Sequence, residues 1–425
     1  MAASGTGFHM RILYVHQFFA GPDAPGPAQP RALVRRLAER GHAVDVVACD
    51  LNAYNEQTEP EEACEVPGGG SVRVHRLPVP RGLRASLANR LKTYGRFAWA
   101  AYRFGRRLPK PDVVMASIQP LFGGFAAFRL ARRWRCPFLL EIRDLWPDAL
   151  VVKKAISRWQ AAPLEALARA MYFGADRLAC LTPGLKQEIL RKGVPAGRVD
   201  VLPNGFEESV FRLEAGTREK MRAELGWGDA FVAVYTGTHT EVTAVETIVR
   251  AASALKPRRD IRIDLFGTGQ TKPKAIALAK ELGLDNVHFH DPVPKSKVPA
   301  ILAAADAGLM TLFRSPLIHI YFENKFIDYM GSRLPILAAM EGVQADLIRR
   351  AGAGQVVSAF DHEGLARAIA DAADHPEQCR EMGAAGQRFV AAQLAQRKIL
   401  DRYAETLEAL ARGEIGGLPT WDPFP

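Results

Sequence analysis

A lysine and an aspartate three positions apart are the residues of this 425-residue chain best placed to do chemistry. On a helix, Lys325 and Asp328 lie on one face. The sequence predicts that this helix breaks at Gly331 and that a short apolar strand follows over residues 335–338. A lysine suits a phosphate, and a carboxylate suits the two hydroxyls of a ribose. The pattern therefore predicts half of a nucleotide-sugar site.

Length, charge and cysteine usage narrow the class of protein. A chain of 425 residues favours two domains, and a formal net charge of +10 favours anionic partners. The five cysteines are scattered, odd in number and without a C-x-x-C pair, which indicates a reduced, cytoplasmic protein. Residues 1–9 are interpreted as a leader or cloning remnant. The longest apolar run, 113–127, is too short and too broken to span a membrane, so we expect any membrane contact to be peripheral.

The order of the predicted elements is that of two consecutive Rossmann-like domains followed by a helical tail. Strands and helices alternate up to Pro203-Asn204-Gly205, and the alternation restarts at Phe231. The predicted strands are 11–16, 43–48, 113–116, 138–142, 177–180, 199–202, 231–235, 261–266, 287–289, 307–311, 335–338 and 355–358. The predicted helices are 30–40, 122–133, 158–172, 184–191, 241–255, 273–282, 298–304 and most of 363–412. The fold class is therefore α/β.

Two glycine loops follow predicted strands of the second half, where such sheets bind ligands. Residues 235–240 (Tyr-Thr-Gly-Thr-His-Thr) directly precede the helix expected from Glu241 and form a usable anion cradle. Capping of that helix by Thr238 or Thr240 is the structural alternative. The sequence Phe-Gly-Thr-Gly over 266–269 lacks a third glycine, so a tight turn is as good an interpretation as a phosphate loop.

Charged residues end one buried strand of the first half. Residues 141–148 (Glu-Ile-Arg-Asp-Leu-Trp-Pro-Asp) place Arg143, Asp144 and Asp148 at the strand's carboxyl end. Charges at such a position are costly unless they are used or paired. A functional site and a structural pair of Arg143 with Asp144 or Asp148 both remain open.

The stretch 81–110 contains nine lysines and arginines, interleaved aromatic residues and no acid. A helix of this kind can lie on an anionic bilayer surface. A solvated helix whose aromatic residues belong to the core is the alternative. Nucleic acid is disfavoured because no RNP, zinc-finger or helix-turn-helix pattern is present. The histidines form no metal-ligand cluster, and neither a G-x-S-x-G elbow nor a P-loop occurs, so a metal site, a hydrolase and a kinase are not expected.

Taken in order, these motifs resemble glycosyltransferase family 4, which comprises retaining enzymes of the GT-B fold. The resemblance covers residues 10 to about 412. It is carried by the first strand with the Pro-Gly-Pro-Ala loop at 25–28, by 37–44 (Leu-Ala-Glu-Arg-Gly-His-Ala-Val), by the Pro-Asn-Gly hinge and by the second-half glycine loops. Residues 141–148 are similar to a subset with E-[IV]-R-D-L-W-P that builds bacterial surface polysaccharides.

The resemblance implies how the chain is divided and what each part binds. Its domains would be an acceptor-binding domain at 10–205, an interdomain linker at 206–229, a nucleotide-sugar-binding domain at 230–394, and a C-terminal helix and tail at 395–425. The reaction would need no metal and no cofactor beyond the nucleoside-diphosphate-sugar co-substrate, which is UDP- or GDP-linked. It would take place in a cleft between the two domains, and preorganised donors would stabilise the diphosphate leaving group.

The resemblance also implies roles for individual residues. Lys325, the Thr236–Thr238 backbone and Arg314 would stabilise the diphosphate, and Asp328 would hold the ribose. The catalytic residues would be Arg143, Asp144 and Lys325. The donor-binding residues would be Gly237, Thr238, Gly267, Pro292, Val293, Arg314, Lys325 and Asp328. The acceptor-binding residues would be Gly26 and Arg31.

Two positions depart from the family pattern. The family commonly has E-x(7)-E, but Ile320 stands eight positions before Asp328, where the outer acid is expected. Arg143 stands where a catalytic-site histidine is usual. We therefore expect Arg143 to bind phosphate, and Lys325 and Asp328 to carry more of the donor binding.

The leading hypothesis is a cytoplasmic, peripheral-membrane glycosyltransferase. It would transfer a hexosyl or N-acetylated aminosugar to a lipid-linked saccharide during synthesis of O-antigen, capsule or exopolysaccharide, as in lipopolysaccharide biosynthesis. The alternatives are a sugar-nucleotide epimerase or hydrolase of the same fold, and a non-catalytic sugar-nucleotide-binding envelope protein. A Rossmann oxidoreductase is the most distant, because the G-x-G motif is incomplete.

Overall fold

A computed structural model describes residues 8–424 except Asp23, Pro25, Tyr54, Arg84 and Lys153. The chain divides into two compact units. The first comprises Met1–Asn204 and Arg397–Pro425, and the second comprises Gly205–Gln396. Among the described residues, no helix is both long enough and apolar enough to cross a bilayer.

The first unit is built on an eight-stranded sheet. Its strands lie in the order β3-β4-β2-β1-β5-β6-β7-β8, and every neighbouring pair is parallel except β3 with β4. All five residues of the central strand Val113–Ser117 are buried, as expected of a parallel strand covered on both faces. The strands are β1 (Arg11–Val15), β2 (Ala43–Cys49), β3 (Glu62–Val66), β4 (Gly70–Leu77), β5 (Val113–Ser117), β6 (Phe138–Ile142), β7 (Arg177–Cys180) and β8 (Val199–Val201).

Helices connect these strands. The second one, Leu87–Gly105, is capped by Ser86, whose hydroxyl accepts a hydrogen bond from the backbone N–H of Asn89. This helix packs against the third, and the third packs against β5. The helices are α1 (Gln29–Glu39), α2 (Leu87–Gly105), α3 (Leu121–Trp134), α4 (Asp148–Val152), α5 (Arg158–Gly174) and α6 (Pro183–Arg191).

The second unit has a six-stranded, all-parallel sheet in the order β11-β10-β9-β12-β13-β14. Its strands are β9 (Phe231–Thr236), β10 (Ile261–Phe266), β11 (Val287–His290), β12 (Ala307–Thr311), β13 (Ile336–Ala339) and β14 (Gly354–Val357). Its helices are α7 (Thr217–Leu225), α8 (Glu246–Ala254), α9 (Lys272–Glu281), α10 (Val298–Ala304), α11 (Lys325–Gly331), α12 (Val343–Ala351), α13 (His362–Asp374) and α14 (Pro376–Gln393). With the first unit, this gives the two Rossmann-like domains expected of the GT-B fold.

The C-terminal part of the chain returns to the first unit as α15 (Gln396–Arg412). Glu408 on this helix accepts hydrogen bonds from the guanidinium of Arg40 at 2.8 and 2.9 Å. Farther along, Arg177 forms a buried ion pair with Asp200 at 2.7 Å and donates to the carbonyls of Leu418 and Pro419. Residues 397–425 are therefore part of the first unit's structure, whereas the sequence predicted a separate helix and tail at 395–425.

Every predicted strand is present, with bounds shifted by at most one residue. The sequence patterns do not predict α4, α12 or the hairpin of β3 and β4 at the sheet edge, and they do not predict α7. This helix lies within 206–229, the stretch expected to be a linker, and packs against α10 of the second unit. The helix predicted from Glu241 instead begins at Glu246, because residues 241–245 form turns.

Candidate functional site

Lys325 is a buried cation that begins α11. Its side chain is 6% exposed, and its Nζ donates hydrogen bonds to Oε2 of Glu323 at 2.9 Å and to Oη of Tyr235 at 3.2 Å. The ammonium also lies 4.5 Å from the centroid of the Tyr235 ring. Burial alone would lower the pKa of Lys325, but the negative charge of Glu323 raises it above its ordinary value. Because an ammonium has three N–H donors, one remains for a ligand.

Asp328 lies one helical turn after Lys325 and is partly buried. Burial raises the pKa of its carboxyl group to about 6, although the positive charges of Lys295 and Lys325 act in the opposite direction. No described residue donates a hydrogen bond to this carboxylate. Asp328 is therefore able to accept hydrogen bonds from a pair of hydroxyl groups, and its binding of a ribose stays a prediction.

The loop after β9 is a poorer anion cradle than the sequence suggested. The N–H of Thr236 donates to Oη of Tyr329 at 2.8 Å, and the N–H of Gly237 donates to the carbonyl of Phe266 at 3.0 Å. Only the N–H of Thr238, which is exposed, lacks a partner among the described residues of this Thr236–Thr238 segment. Neither Thr238 nor Thr240 caps α8, because this helix begins at Glu246, directly after Val245. Oγ1 of Thr240 instead accepts a hydrogen bond from the N–H of Thr243 at 3.4 Å, in the turns before the helix.

Gly237 and Gly267 are required by the close approach of two loops. Their φ angles are +146° and +142°, which side chains rarely allow. A Cβ atom on Gly237 would lie 3.0 Å from Cε of Lys325, and one on Gly267 would lie 1.8 Å from the carbonyl oxygen of Gly237. Both glycines thus keep backbone close to Lys325. For Gly267, a tight turn is enough to explain why the position is a glycine, without a contact to phosphate.

The remaining residues expected to bind the donor lie on the loops after β11 and β12. Pro292 is exposed and Val293 is half-buried, just before Lys295, whose charge acts on Asp328. Arg314 is 63% exposed and pairs with Glu341 at 3.4 Å. To bind a diphosphate, Arg314 would exchange its ion pair with Glu341 for the phosphate. Exposed ion pairs contribute little to stability, so this exchange costs little.

In the first unit, Arg143 belongs to a buried hydrogen-bonded cluster. Its guanidinium donates to Oε1 of Glu141 at 3.1 Å and to Oδ1 of Asn204 at 2.8 Å. The carboxylate of Glu141 also accepts hydrogen bonds from the hydroxyls of Tyr14 at 3.3 Å and Tyr403 at 3.1 Å. Burial lowers the pKa of Arg143, but Glu141 raises it, so the guanidinium stays charged.

The expected pairs of Arg143 with Asp144 or Asp148 are wrong. Asp144 accepts a hydrogen bond from Nε2 of Gln119 at 2.6 Å. Asp148 binds the ammonium of Lys192 at 3.0 Å. Glu141 is the partner because the alternation of a strand puts residues two apart on the same side.

Three polar side chains that the sequence analysis did not single out lie at the ends of β1 and β5. His16, Gln17 and Ser117 are at least 94% buried. Nevertheless, Nδ1 of His16, both polar atoms of the Gln17 amide and Oγ of Ser117 have no hydrogen-bond partner in the part of the chain that the structure describes. Burial lowers the pKa of His16 to about 4, so its ring is neutral. Buried polar atoms are normally paired. Their position at the carboxyl ends of two central strands is the feature of the sequence that could have identified them as candidates for a site.

The two residues expected to bind an acceptor differ in their surroundings. Arg31 donates two hydrogen bonds to the carboxylate of Glu62 at 2.8 and 2.9 Å and another to the carbonyl of Ala20 at 2.8 Å. Its guanidinium therefore holds the loop before α1 against β3. Gly26 is half-buried with a φ of +152°, and its neighbour Pro25, part of the predicted glycine loop, lies outside the described residues.

Over the described part of the chain, no group of three or more His, Cys, Asp or Glu residues could hold a metal ion.

Two family matches together cover most of the chain. The family described as "Glycosyl transferase 4-like domain" matches residues 28–205, and the family described as "Glycosyl transferases group 1" matches residues 230–375. The chain belongs to the GT-B glycosyltransferases. The two matched ranges correspond to the two Rossmann-like domains, and Lys325 and Asp328 lie in the second.

Relatives and solved structures agree with this assignment. The colanic acid biosynthesis glycosyl transferase WcaI of Escherichia coli strain K12 is 24% identical over 290 residues, which are 65% of this chain and 70% of WcaI. The D-inositol 3-phosphate glycosyltransferase of Streptomyces avermitilis is 27% identical over 309 residues, 68% of this chain but only 63% of that protein. The crystal structure of Anabaena Alr3699/HepE with UDP-glucose superposes with a TM-score of 0.70 over 94% of this chain and 100% of that one. At 15% identity, this likeness concerns the fold.

Proposed function

We propose that this glycosyltransferase is a retaining enzyme that moves a sugar from a UDP- or GDP-linked donor to a lipid-linked saccharide in surface polysaccharide synthesis. One observation carries the donor assignment. Lys325 keeps one N–H donor for a ligand, and the N–H of Thr238, which follows Gly237 in the chain, has no partner among the described residues. Asp328, one turn after Lys325, accepts no hydrogen bond from these residues on its carboxylate. An anion-binding group next to a diol-binding group fits a nucleoside diphosphate. The names of WcaI and of the structure with UDP-glucose support the reaction class.

In the proposed reaction, Lys325 binds a phosphate oxygen of the donor and neutralises the charge that grows on the diphosphate as the glycosidic bond breaks. Its charge is secured by Glu323 and its position by Tyr235, so the stabilisation needs no rearrangement during the reaction. Asp328 orients the ribose. Arg143 and Asp144 are proposed as the catalytic groups of the first unit, with Arg143 held in place by Glu141 and Asn204.

The donor assignment is tested by binding and then by transfer. UDP-, GDP-, dTDP- and CMP-linked sugars are first compared by thermal shift, since a ligand that binds the folded state raises the melting temperature. The donor that stabilises the protein is then used, radiolabelled, in a transfer assay with a lipid-linked saccharide. We expect Lys325→Ala and Asp328→Ala to lose transfer. Full activity in both variants would refute the site, and no stabilisation by any donor would refute the nucleotide-sugar assignment.

We further propose that α2 places the enzyme on the anionic inner face of the cell membrane. The aromatic residues of the 81–110 stretch include both buried and exposed side chains. Phe97 is fully buried, whereas Trp99 is 51% exposed, and its ring lies 4.6 and 4.9 Å from the guanidinium groups of Arg96 and Arg103. An aromatic ring beside cations is suited to the interface of an anionic bilayer. A neighbouring groove of about 310 Å³, partly lined by Trp99 and Phe125, lies between α2 and α3.

Co-sedimentation with vesicles tests this docking surface. Replacing Arg103, Arg106 and Arg107 by serine removes three charges, each worth about 1 kcal/mol near an anionic surface. We expect binding to phosphatidylserine vesicles to fall by roughly 100-fold. The matched control replaces three exposed arginines of the second unit, which are Arg349, Arg367 and Arg380. Equal loss in both triple variants, or no preference of the wild type for anionic over neutral vesicles, would refute the proposal.

A further inference from the structure

Glu323 is a carboxylate beside the predicted diphosphate site, and only one of its two oxygens holds Lys325. We propose that it binds the hydroxyl or amide N–H groups of the donor's sugar and thereby makes the site selective for a nucleotide sugar over the free nucleotide. This inference rests on the proposed function. One carboxylate oxygen of Glu323 holds Lys325 at 2.9 Å, and the other has no partner among the described residues. The side chain is 25% exposed, so its free oxygen is accessible.

The backbone of Glu323 is fixed from both sides by a single side chain. Its N–H donates to Oε1 of Gln344 at 2.8 Å, and its carbonyl accepts from Nε2 of the same amide at 2.9 Å. Gln344 is fully buried at the start of α12. A carboxylate that only neutralised Lys325 would not need such a fixed backbone. A carboxylate that recognises one arrangement of hydroxyl groups does, because directional hydrogen bonds tolerate little displacement.

The opposite charges of Lys325 and Glu323 indicate which part of a donor molecule each residue would contact. A diphosphate bound by Lys325 and Thr238 would be repelled by a carboxylate next to it, and a free nucleoside diphosphate offers no neutral donor there. A sugar attached to that diphosphate brings several hydroxyl donors, or an amide N–H, into the same region. The cation and the anion together therefore match a ligand with a charged and a neutral, hydrogen-bond-donating part. Ile320 is 4% exposed and apolar, so it cannot supply this contact.

The test compares binding of a nucleoside diphosphate with binding of the corresponding nucleotide sugar by calorimetry, using the full chain. In Glu323→Gln we expect the sugar's contribution to affinity to fall by about 10-fold or more. The affinity for the free nucleoside diphosphate should stay the same or increase, because a repelling charge is gone. Glu246→Gln is the matched control. It removes another carboxylate that pairs with a lysine, Lys274, at 3.1 Å and is 30% exposed.

Each outcome separates this inference from the proposed function. If Glu323→Gln weakens the nucleoside diphosphate and the nucleotide sugar equally, Glu323 only positions Lys325 and the inference is wrong. If the sugar's contribution is unchanged, the inference is also wrong, while the proposed function stands. If the wild-type chain binds no nucleotide sugar, both are overturned. Glu323→Asp keeps the charge but shortens the side chain, and we expect it to change the preference among sugars at constant affinity for the nucleotide.

Discussion

Protonation of Asp328 should control donor affinity between pH 5 and pH 8. Burial raises the pKa of this carboxyl group to about 6 in the free protein. Below that pH it is protonated and loses its capacity to accept two hydrogen bonds from the ribose. With a pKa of about 6, about 97% of the molecules are ionised at pH 7.5 but only about 9% at pH 5. Because apparent affinity scales with the competent fraction, we expect donor binding to weaken by roughly 10-fold over this range.

The measurement is calorimetric titration of a nucleotide sugar at half-unit steps of pH. A nucleotide sugar is the right ligand because its diphosphate is esterified at both ends, whereas the terminal phosphate of a free nucleotide is a monoester that titrates near pH 6. The charge of Glu323 raises the pKa of Lys325, so its ammonium stays protonated throughout. The pKa of the nearby His239 is lowered to about 4 by burial and by Lys272 and Lys325, so it titrates below the range.

The variant Asp328→Asn separates this carboxyl group from every other titrating group. The asparagine should bind the donor weakly at all pH values and should show a flat profile. A wild-type affinity that is constant from pH 5 to pH 8 would show that Asp328 does not bind the ribose in its ionised form. The same conclusion would follow if Asp328→Asn kept the wild-type pH dependence.

Three further predictions follow from the packing and the charges. Lys325→Met should weaken donor binding by about 10- to 150-fold in the same titration, because a charged hydrogen bond contributes about 1.5–3 kcal/mol, whereas Lys274→Met should bind normally. Gly267→Ala should lower the free energy of unfolding in urea by at least about 2 kcal/mol, because its Cβ would collide with the carbonyl of Gly237. The control is Gly226→Ala, at a φ of +64° with open space around it, which should lower this free energy by only about 1 kcal/mol. Arg177→Met should destabilise the first unit by about 3–5 kcal/mol in urea unfolding, because it removes the closest cation from the buried carboxylate of Asp200 and leaves it only Arg402 at 3.5 Å. An unchanged midpoint would contradict this.

The sequence was sufficient for the fold because its signal is local. Runs of buried apolar residues separated by turn residues place every strand except β3 and β4 to within a residue. This hydrophobic pattern does not reveal strands whose residues are largely exposed. β3 has an exposed centre, so Glu62–Val66 contains no apolar run to detect. The turns at 241–245 also escape prediction, since Ala244 adopts a φ of +45° that its residue type does not indicate.

The site was only partly predictable, because its interactions join residues far apart in the chain. The helical spacing of Lys325 and Asp328 is local, and the sequence showed it. The partners of these residues are not local. Tyr235 lies 90 positions from Lys325, and Tyr403 lies 262 positions from Glu141. No pattern of spacing can indicate which tyrosine meets which charge until the strand order is known.

The return of residues 397–425 to the first unit affects the order in which the protein can fold during synthesis. The 192 residues of Gly205–Gln396 separate the two parts of that unit. At about 5–20 residues per second, a ribosome needs roughly 10–40 s to cross this interval. During that time the carboxylate of Glu141 lacks the hydroxyl of Tyr403, and Arg177 lacks the carbonyls of 418 and 419. The second unit, although made later, is the first whose residues are all available, so we expect the nascent chain to acquire protease resistance there first.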